Sequence, residues 1–292
     1  MAISRMRWHM GILALLAMMG MVRIAAGDDE KDVLLEQKKA LATVQKMLQL
    51  PPTGVIETKS LMVVSDLTVD KLRPMGPVLE KAYQMAVNVL AFEPEEKTWE
   101  GKIAIYVFSD RDKYETFVEK YEKRGLKNRD ESASSQISGT SPHVAVTVAR
   151  GEGSGSLELR GGFELCGLLM RTKTSVSETP RWVTEGFGRA VMTRANPARY
   201  ASERAAMKKV ARARAMSTLW AENQPEDTYL LGASFMDFMA FGTEKGMLAE
   251  FVGGYISGEN DAPPDMKAAI EATGMMPEQA EAAWKRFAAT SK

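Results

Sequence analysis

Two apolar segments decide the fold of this chain: GGFELCGLLMR at residues 161–171 and PRWVTEGFGRAVMTR at residues 180–194. Both have helical patterns, and a mostly polar loop of Thr, Lys and Ser joins them. Each segment carries one acidic residue inside an apolar run, Glu164 in the first and Glu185 in the second. Because a carboxylate is costly to bury without a partner, the two acids either face water or belong to a site.

The N-terminus has the pattern of a cleavable secretory signal, predicted at residues 1–27. Arg5 and Arg7 give a basic start, residues 10–22 are apolar and uncharged, and small residues lead to a cut near Gly27. The apolar run is short for a bilayer span. The pattern therefore predicts a secreted or periplasmic protein. The alternative is an uncleaved N-terminal anchor, in which case this segment alone would contact a membrane.

The composition narrows the class of protein. With 45% apolar and 26% charged residues, the chain is typical of a globular protein. Removing the three basic residues of the predicted signal leaves 35 basic against 38 acidic residues, so we expect no nucleic acid as a partner. Cys166 is the only cysteine, which excludes an intrachain disulfide.

The N-terminal half has the pattern of a small mixed sheet with helices. Runs rich in β-branched residues predict strands, and apolar residues at helical spacing predict the helices between them. We predict one or two strands at residues 55–67, further strands at 101–109, 136–139 and 144–149, and helices at 70–92 and 110–121. Residues 122–135 are charged and polar, which predicts an exposed loop.

Almost the whole sequence after Leu157 has patterns that predict α-helices. The predicted helices lie at residues 157–171, 181–193, 198–220, 227–241, 245–256, 264–272 and 277–289. Strands first and helices after indicate an α+β fold, with a small N-terminal mixed sheet followed by an all-helical C-terminal lobe. We divide the mature chain into an N-terminal helix and linker at 28–54, an α+β part at 55–156 and a helical part at 157–292.

The two central segments resemble the zinc-binding helices of the gluzincin, or peptidase MA-like, metallopeptidase superfamily, which has a zincin-like fold. In its secreted bacterial members, a His-Glu-x-x-His helix supplies two zinc ligands and the general base, and a Pro-x-Trp-x-x-Glu-Gly helix supplies the third ligand. Residues 180–186, PRWVTEG, are similar to the second motif, and Glu185 follows Glu164 by 21 residues. With the order of strands and helices, the resemblance covers most of residues 55–290.

The chain departs from this family at the two histidines. Glu164 stands at the position of the general base, but Phe163 and Gly167 stand where the histidine ligands would be. Structural zinc binding is worth about 10 kcal/mol shared over all ligands, so Glu185 alone cannot hold the ion. We therefore expect no zinc and no other cofactor. Phe163, Gly167 and Glu185 are then vestigial ligand positions, and Glu164 is a vestigial general base.

This departure predicts a pseudoenzyme. We expect a secreted, catalytically inactive metallopeptidase-like domain that binds or scaffolds a protein or peptide. If the two helices keep the family arrangement, Phe163→His combined with Gly167→His should create zinc affinity. No gain of binding would mean that the helices have moved or that the resemblance is wrong.

Two other interpretations of the acids stay open. Glu164 and Glu185 could act as the acid/base pair of a metal-free hydrolase or peptidase if their surroundings separate their pKa values. Alternatively, they pair with Arg171, Arg181 or Arg189 and have no role beyond the fold. A cleft open to both acids would favour the enzyme, whereas an aromatic plug and neutralising arginines would favour a binding or structural role.

The resemblance implies further candidate residues. The predicted strand that holds Val144, Val146 and Val148 corresponds to one that borders the family's active-site cleft, so it could accept an extended peptide by strand addition. The alternative is an ordinary strand of the sheet. Trp182 is a second candidate for binding, and Tyr229, on a later helix, is a candidate catalytic residue.

Overall fold

The computed structural model describes most of the chain beyond its N-terminus. The described residues are 26–52, 54–93, 96–137, 141–148, 157–174, 179–221, 228–244, 246–254 and 266–291. The predicted signal, except for its last two residues, lies outside them, as do the ends of the strands predicted at 136–139 and 144–149. In the part that is described, no helix combines the length and the apolar character needed to cross a bilayer.

In the described residues, five strands form one mixed sheet. They are β1 Val55–Glu57, β2 Leu61–Ser65, β3 Ile103–Phe108, β4 Ala133–Gln136 and β5 His143–Thr147, in the spatial order β1-β2-β3-β5-β4. The three central strands β2, β3 and β5 are parallel to one another, and β1 and β4 are antiparallel to their neighbours at the two edges. The sheet and the many helices confirm the predicted α+β class.

Side chains of the central strands alternate between two apolar cores. On β2, Leu61 and Val63 enter the core on one face of the sheet, and Met62 and Val64 enter the core on the other. Every residue of β2, β3 and β5 is buried, as expected for parallel strands covered by helices on both faces.

The N-terminal helices cover both faces of the sheet. They are α1 Ala26–Met47, α2 Val69–Leu72, α3 Met75–Val89 and α4 Arg111–Lys120. Apolar side chains of α1 and α4 pack on the same face, and α3 packs on the opposite one. Asp110 caps α4 by accepting a hydrogen bond from the backbone N–H of Asp112 at 3.0 Å.

The C-terminal half is helical in its described residues. Its helices are α5 Leu157–Thr174, α6 Arg181–Ala195, α7 Ala201–Ala213, α8 Thr228–Phe241, α9 Met247–Gly253, α10 Met266–Glu271 and α11 Pro277–Thr290. The single helix predicted at residues 198–220 is wrong, because α7 ends at Ala213 and a separate 3₁₀ helix, Met216–Trp220, follows. The other helices differ from the predictions by a few residues at their ends.

Helix α5 joins the sheet to the helical lobe. One continuous apolar core extends from Leu61 in β2 to Ala288 in α11, so the α+β and helical parts form one folded unit. Glycines let α5 and α6 lie in close contact: a Cβ atom at Gly188 would lie 2.4 Å from the Phe163 carbonyl oxygen, and one at Gly167 would lie 2.9 Å from the Thr184 carbonyl oxygen. This contact fixes where Glu164 and Glu185 lie relative to each other.

Candidate functional site

A cleft of about 1060 Å³ lies between the edge strand β4 and the helices α5 and α6. Residues from the loop before β4 and from β4 itself form one wall, and α5 and the start of α6 form the rest. Four residues predicted for the vestigial site, Phe163, Glu164, Gly167 and Glu185, all line this cleft. The sequence positions grouped by the resemblance are therefore neighbours in space.

One face of α5 runs along β4. Arg160, Glu164 and Arg171 are separated by four and seven residues and so lie on this face. The Arg160 Nη1 atom donates to the Ser132 hydroxyl at 2.7 Å, and the Arg171 Nη2 atom donates to the Ser135 hydroxyl at 3.2 Å. These two contacts connect α5 to the opposite wall, with Glu164 between them along the helix.

Glu164 is a half-buried carboxyl group without a donor in the described part of the chain. It lines the main cleft and an adjoining cavity of about 210 Å³. Within the described residues its side chain makes no hydrogen bond and no ion pair. Burial raises the pKa of Glu164, the positive charge of Arg171 opposes this shift, and the negative charge of Glu185 adds to it.

Glu185 has the opposite surroundings. Its carboxylate accepts a hydrogen bond from the Arg181 Nε atom at 3.0 Å and another from the Arg189 Nη2 atom at 3.1 Å. Arg189 also forms an ion pair with Glu203 on α7. Both oxygens of Glu185 are therefore occupied by arginine donors.

The Arg189 guanidinium is held between two aromatic rings. Its Cζ atom lies 4.1 Å from the centre of the Phe163 ring and 4.4 Å from the centre of the Tyr229 ring, which are favourable cation–π distances. Tyr229, the predicted catalytic candidate, thus belongs to the same site as Phe163 and Glu185. A permanent cation occupies the space beside the first and third ligand positions.

The residues at this site do not fit zinc. Phe163 and Gly167 offer no donor atom, and the oxygens of Glu185 already accept hydrogen bonds from Arg181 and Arg189. The charge of Arg189 also repels a second cation. Across the described ranges, no group of three or more His, Cys, Asp or Glu side chains is arranged to hold a metal ion. That no cofactor binds stays a prediction.

The loop predicted to be exposed at residues 122–135 is exposed at Lys123, Gly125 and residues 127–130, but its end forms a wall of the cleft. Its last residues belong to β4, and the Glu131 carboxylate is buried. Glu131 accepts hydrogen bonds from the Arg124 Nη2 atom at 2.5 Å and from the Tyr114 hydroxyl at 3.0 Å. Burial opposes ionisation of Glu131, but the hydrogen bonds outweigh it and lower its pKa.

His143 supports the same wall from inside the sheet. It is buried, its Nε2 atom lies 3.0 Å from the Glu122 carboxylate, and its Nδ1 atom lies 3.0 Å from the Ser141 carbonyl oxygen. Glu122 in turn accepts a hydrogen bond from the Ser134 hydroxyl of β4 at 2.7 Å. His143 therefore has a structural role in positioning β4.

The predicted binding residues of β5 and α6 are corrected by the structure. β5 pairs with β3 on one side and with β4 on the other, so an added strand cannot pair with it, and Val144 and Val146 are fully buried. Val148 follows the strand and packs partly against the core. Trp182 is also buried and packs edge-on against Phe235 at 6.3 Å. The sheet edge at the cleft belongs to β4.

The sequence does not predict most of the polar residues that line the cleft. It indicates Arg189 only as an ion-pair partner, because the contact of Arg189 with Tyr229 depends on how α6 packs against α8. Nothing in the local pattern of Ser132 and Ser135 indicates that they accept hydrogen bonds from α5. The spacing of Arg160 and Arg171 relative to Glu164 was the one signal that could have placed them on the cleft.

The fold and the site define an α+β protein with a charged cleft between an edge strand and two glycine-packed helices. A scan against protein-family models, a search of curated proteins and a search of solved structures each find no match to this chain.

Proposed function

We propose that this protein is a secreted or periplasmic zincin-like domain of the gluzincin type that has lost its zinc site and binds an extended segment of protein or peptide. The grouping of Phe163, Glu164, Gly167, Glu185 and Tyr229 at the cleft and its adjoining cavity supports the family relationship. The absence of donor atoms at the two histidine positions supports the loss of metal-dependent chemistry.

Within the described residues no strand pairs with the outer edge of β4, and this edge is the observation that carries the binding role. The backbone N–H of Thr147 donates to the Ser132 carbonyl at 2.9 Å, which identifies Ser132 and Ser134 as residues hydrogen-bonded to β5. The residues between them in the antiparallel register, Ala133 and Ser135, direct their backbone groups away from β5, and both residues line the cleft. Such groups at a sheet edge are the template for strand addition.

A metal-free hydrolase is the second candidate. One observation favours it, since Glu164 and Glu185 line the same cleft and burial raises the pKa of Glu164, as required of a general acid. Against it, the two arginines that bind Glu185 occupy the oxygens that would act as a base or nucleophile. The binding role therefore has the better support.

The test of the proposal is a selection of peptides on the purified mature chain, followed by calorimetry with Ser135→Pro and Ser135→Ala. Proline at 135 removes an N–H that β5 does not use but an added strand needs. We expect it to weaken binding about tenfold or more. Alanine keeps the N–H and loses only the hydroxyl that Arg171 contacts, so it should bind nearly as well as the parent chain.

Three results would contradict the proposal. Equal binding by both variants, with both shown by circular dichroism to be folded, would exclude strand addition at β4. Stoichiometric zinc in the purified chain would contradict the loss of the metal site. Peptide cleavage that is abolished by Glu164→Gln would favour the hydrolase.

A further inference from the structure

The cleft has an acceptor for which the described part of the chain provides no donor. Of the buried and half-buried carboxylates that line it, Glu122, Glu131 and Glu185 each accept hydrogen bonds from arginine. Glu164 is half-buried and has no donor among the described residues. An acceptor left without a donor in a buried position is costly to the fold, and a donor supplied by a ligand would remove that cost on binding.

The arginines near Glu164 donate elsewhere. Arg181 donates to Glu185, Arg160 to the Ser132 hydroxyl and Arg171 to the Ser135 hydroxyl. Each therefore supports a wall of the cleft and leaves the carboxylate of Glu164 facing the open space.

We propose that the cleft selects a segment with a lysine or arginine side chain, whose charged nitrogen binds Glu164; this inference rests on the proposed peptide-binding function. In a strand added at β4, alternate side chains face α5, and a basic side chain at one of these positions enters the space above Glu164. Hydrogen bonds between a cation and a carboxylate are about twice as strong as neutral ones.

The surrounding charges permit a ligand cation. A ligand nitrogen in contact with Glu164 would be closer to this carboxylate than to the guanidinium groups, which bind other acceptors. Because the Coulomb energy falls with distance, its attraction to Glu164 would exceed its repulsion by the arginines. A ligand carboxylate would instead be repelled by Glu164. Burial raises the pKa of Glu164, so its ionised form lacks the stabilisation that a bound cation would supply.

The experiment compares blocked heptapeptides Thr-Val-Thr-X-Thr-Val-Thr in which X is lysine, norleucine, glutamine or glutamate. Affinities are measured by calorimetry for the parent chain, for Glu164→Gln and for Asp130→Asn, which removes an exposed carboxylate at the rim of the same cleft. We expect the parent chain and Asp130→Asn to bind the lysine peptide about tenfold more tightly than the norleucine peptide. Glu164→Gln should lose this preference and bind the lysine and norleucine peptides with similar affinity.

The outcomes separate the inference from the function on which it rests. If peptides bind but lysine gives no advantage over norleucine or glutamine, or if Glu164→Gln keeps the advantage, the inference is wrong and the peptide-binding function stands. If the parent chain binds none of the four peptides and the peptide selection also yields no binder, the proposed function itself fails.

Discussion

Glu164 on α5 and Glu185 on α6 line the same cleft in opposite surroundings. Glu185 accepts hydrogen bonds from two arginines, one of which is held between Phe163 and Tyr229. Glu164 has no such donor in the described chain, and burial raises its pKa. The difference teaches that two acids of one cleft can have opposite effects on stability. Glu185 on α6 stabilises the fold through its arginine partners, whereas Glu164 on α5 lowers the stability because its carboxylate lacks a donor among the described residues.

Removal of the Arg189 guanidinium should break this contrast most strongly. Arg189→Ala leaves Glu185 and Glu203 without their shared cation and opens a gap between the rings of Phe163 and Tyr229. We expect the free energy of unfolding to fall by about 3 kcal/mol, the low end for breaking a buried ion pair, because these side chains are partly exposed. Urea denaturation measures this loss.

Arg181→Ala is the matched control. Arg181 binds the same carboxylate but its side chain is 79% exposed, against 15% for Arg189. Its removal should cost less than about 1 kcal/mol, as is typical of surface ion pairs. If both variants lose the same stability, the guanidinium of Arg189 is no more important to the site than an ordinary surface charge.

The next largest effect should come from Gly167, which holds α5 against α6. A Cβ atom there would lie 2.9 Å from the Thr184 carbonyl oxygen, so Gly167→Ala forces the helices apart next to Glu185. We expect overpacking to cost about 3 kcal/mol and the better helix propensity of alanine to return about 1 kcal/mol, a net loss of about 2 kcal/mol by urea denaturation.

Gly125→Ala controls for this substitution, because a Cβ atom at Gly125 would have no neighbour within 4 Å. It should change stability by less than about 0.5 kcal/mol.

The crowding at Gly167 also changes the expected zinc binding of the double variant Phe163→His with Gly167→His. Those two changes alone should give no zinc affinity, since position 167 lacks room and Arg189 retains Glu185. Tight zinc binding by that double variant would show that the helices separate easily.

The fold could be predicted where local pattern decides it. The apolar periodicity of α5, α6, α8 and α11 predicted those helices to within a few residues, and the β-branched run at 55–67 predicted strands where β1 and β2 lie. The single helix predicted at residues 70–92 is instead two helices, α2 and α3. Strand β4 was misplaced because its sequence, Ala-Ser-Ser-Gln, is polar and short. Pairing with β5 makes it a strand, and that pairing is not local.

Only those residues of the candidate site that belong to the two zinc-site motifs could be predicted from the sequence. Spacing grouped Glu164 with Glu185, and the structure brings them to one cleft. Val144 and Val146 were misassigned because an apolar run does not distinguish an edge strand from a central one. The burial of Glu131 depends on Tyr114 and Arg124, which are distant in sequence or outside any regular element, so composition alone predicted an exposed loop.

The smallest expected effect compares the two acids directly. Because burial raises the pKa of Glu164 in the folded chain above its ordinary value of 4.5, the folded state retains a proton that the unfolded state releases as the pH rises. Stability is therefore lost as the pH increases through this range, by about 1.4 kcal/mol for each unit by which the pKa is raised. Glu164→Gln removes the titration, so it should match the parent chain near pH 4 and be more stable at pH 8, as measured by urea denaturation.

Glu185→Gln should have the opposite sign at pH 8. It weakens the hydrogen bonds from Arg181 and Arg189, and we expect a loss of about 1 kcal/mol. A loss of stability in Glu164→Gln at pH 8, or a difference from the parent chain that does not change between pH 4 and pH 8, would mean that the chain itself satisfies the Glu164 carboxylate. The two acids would then have the same structural role, and no ligand would be needed to supply a donor to Glu164.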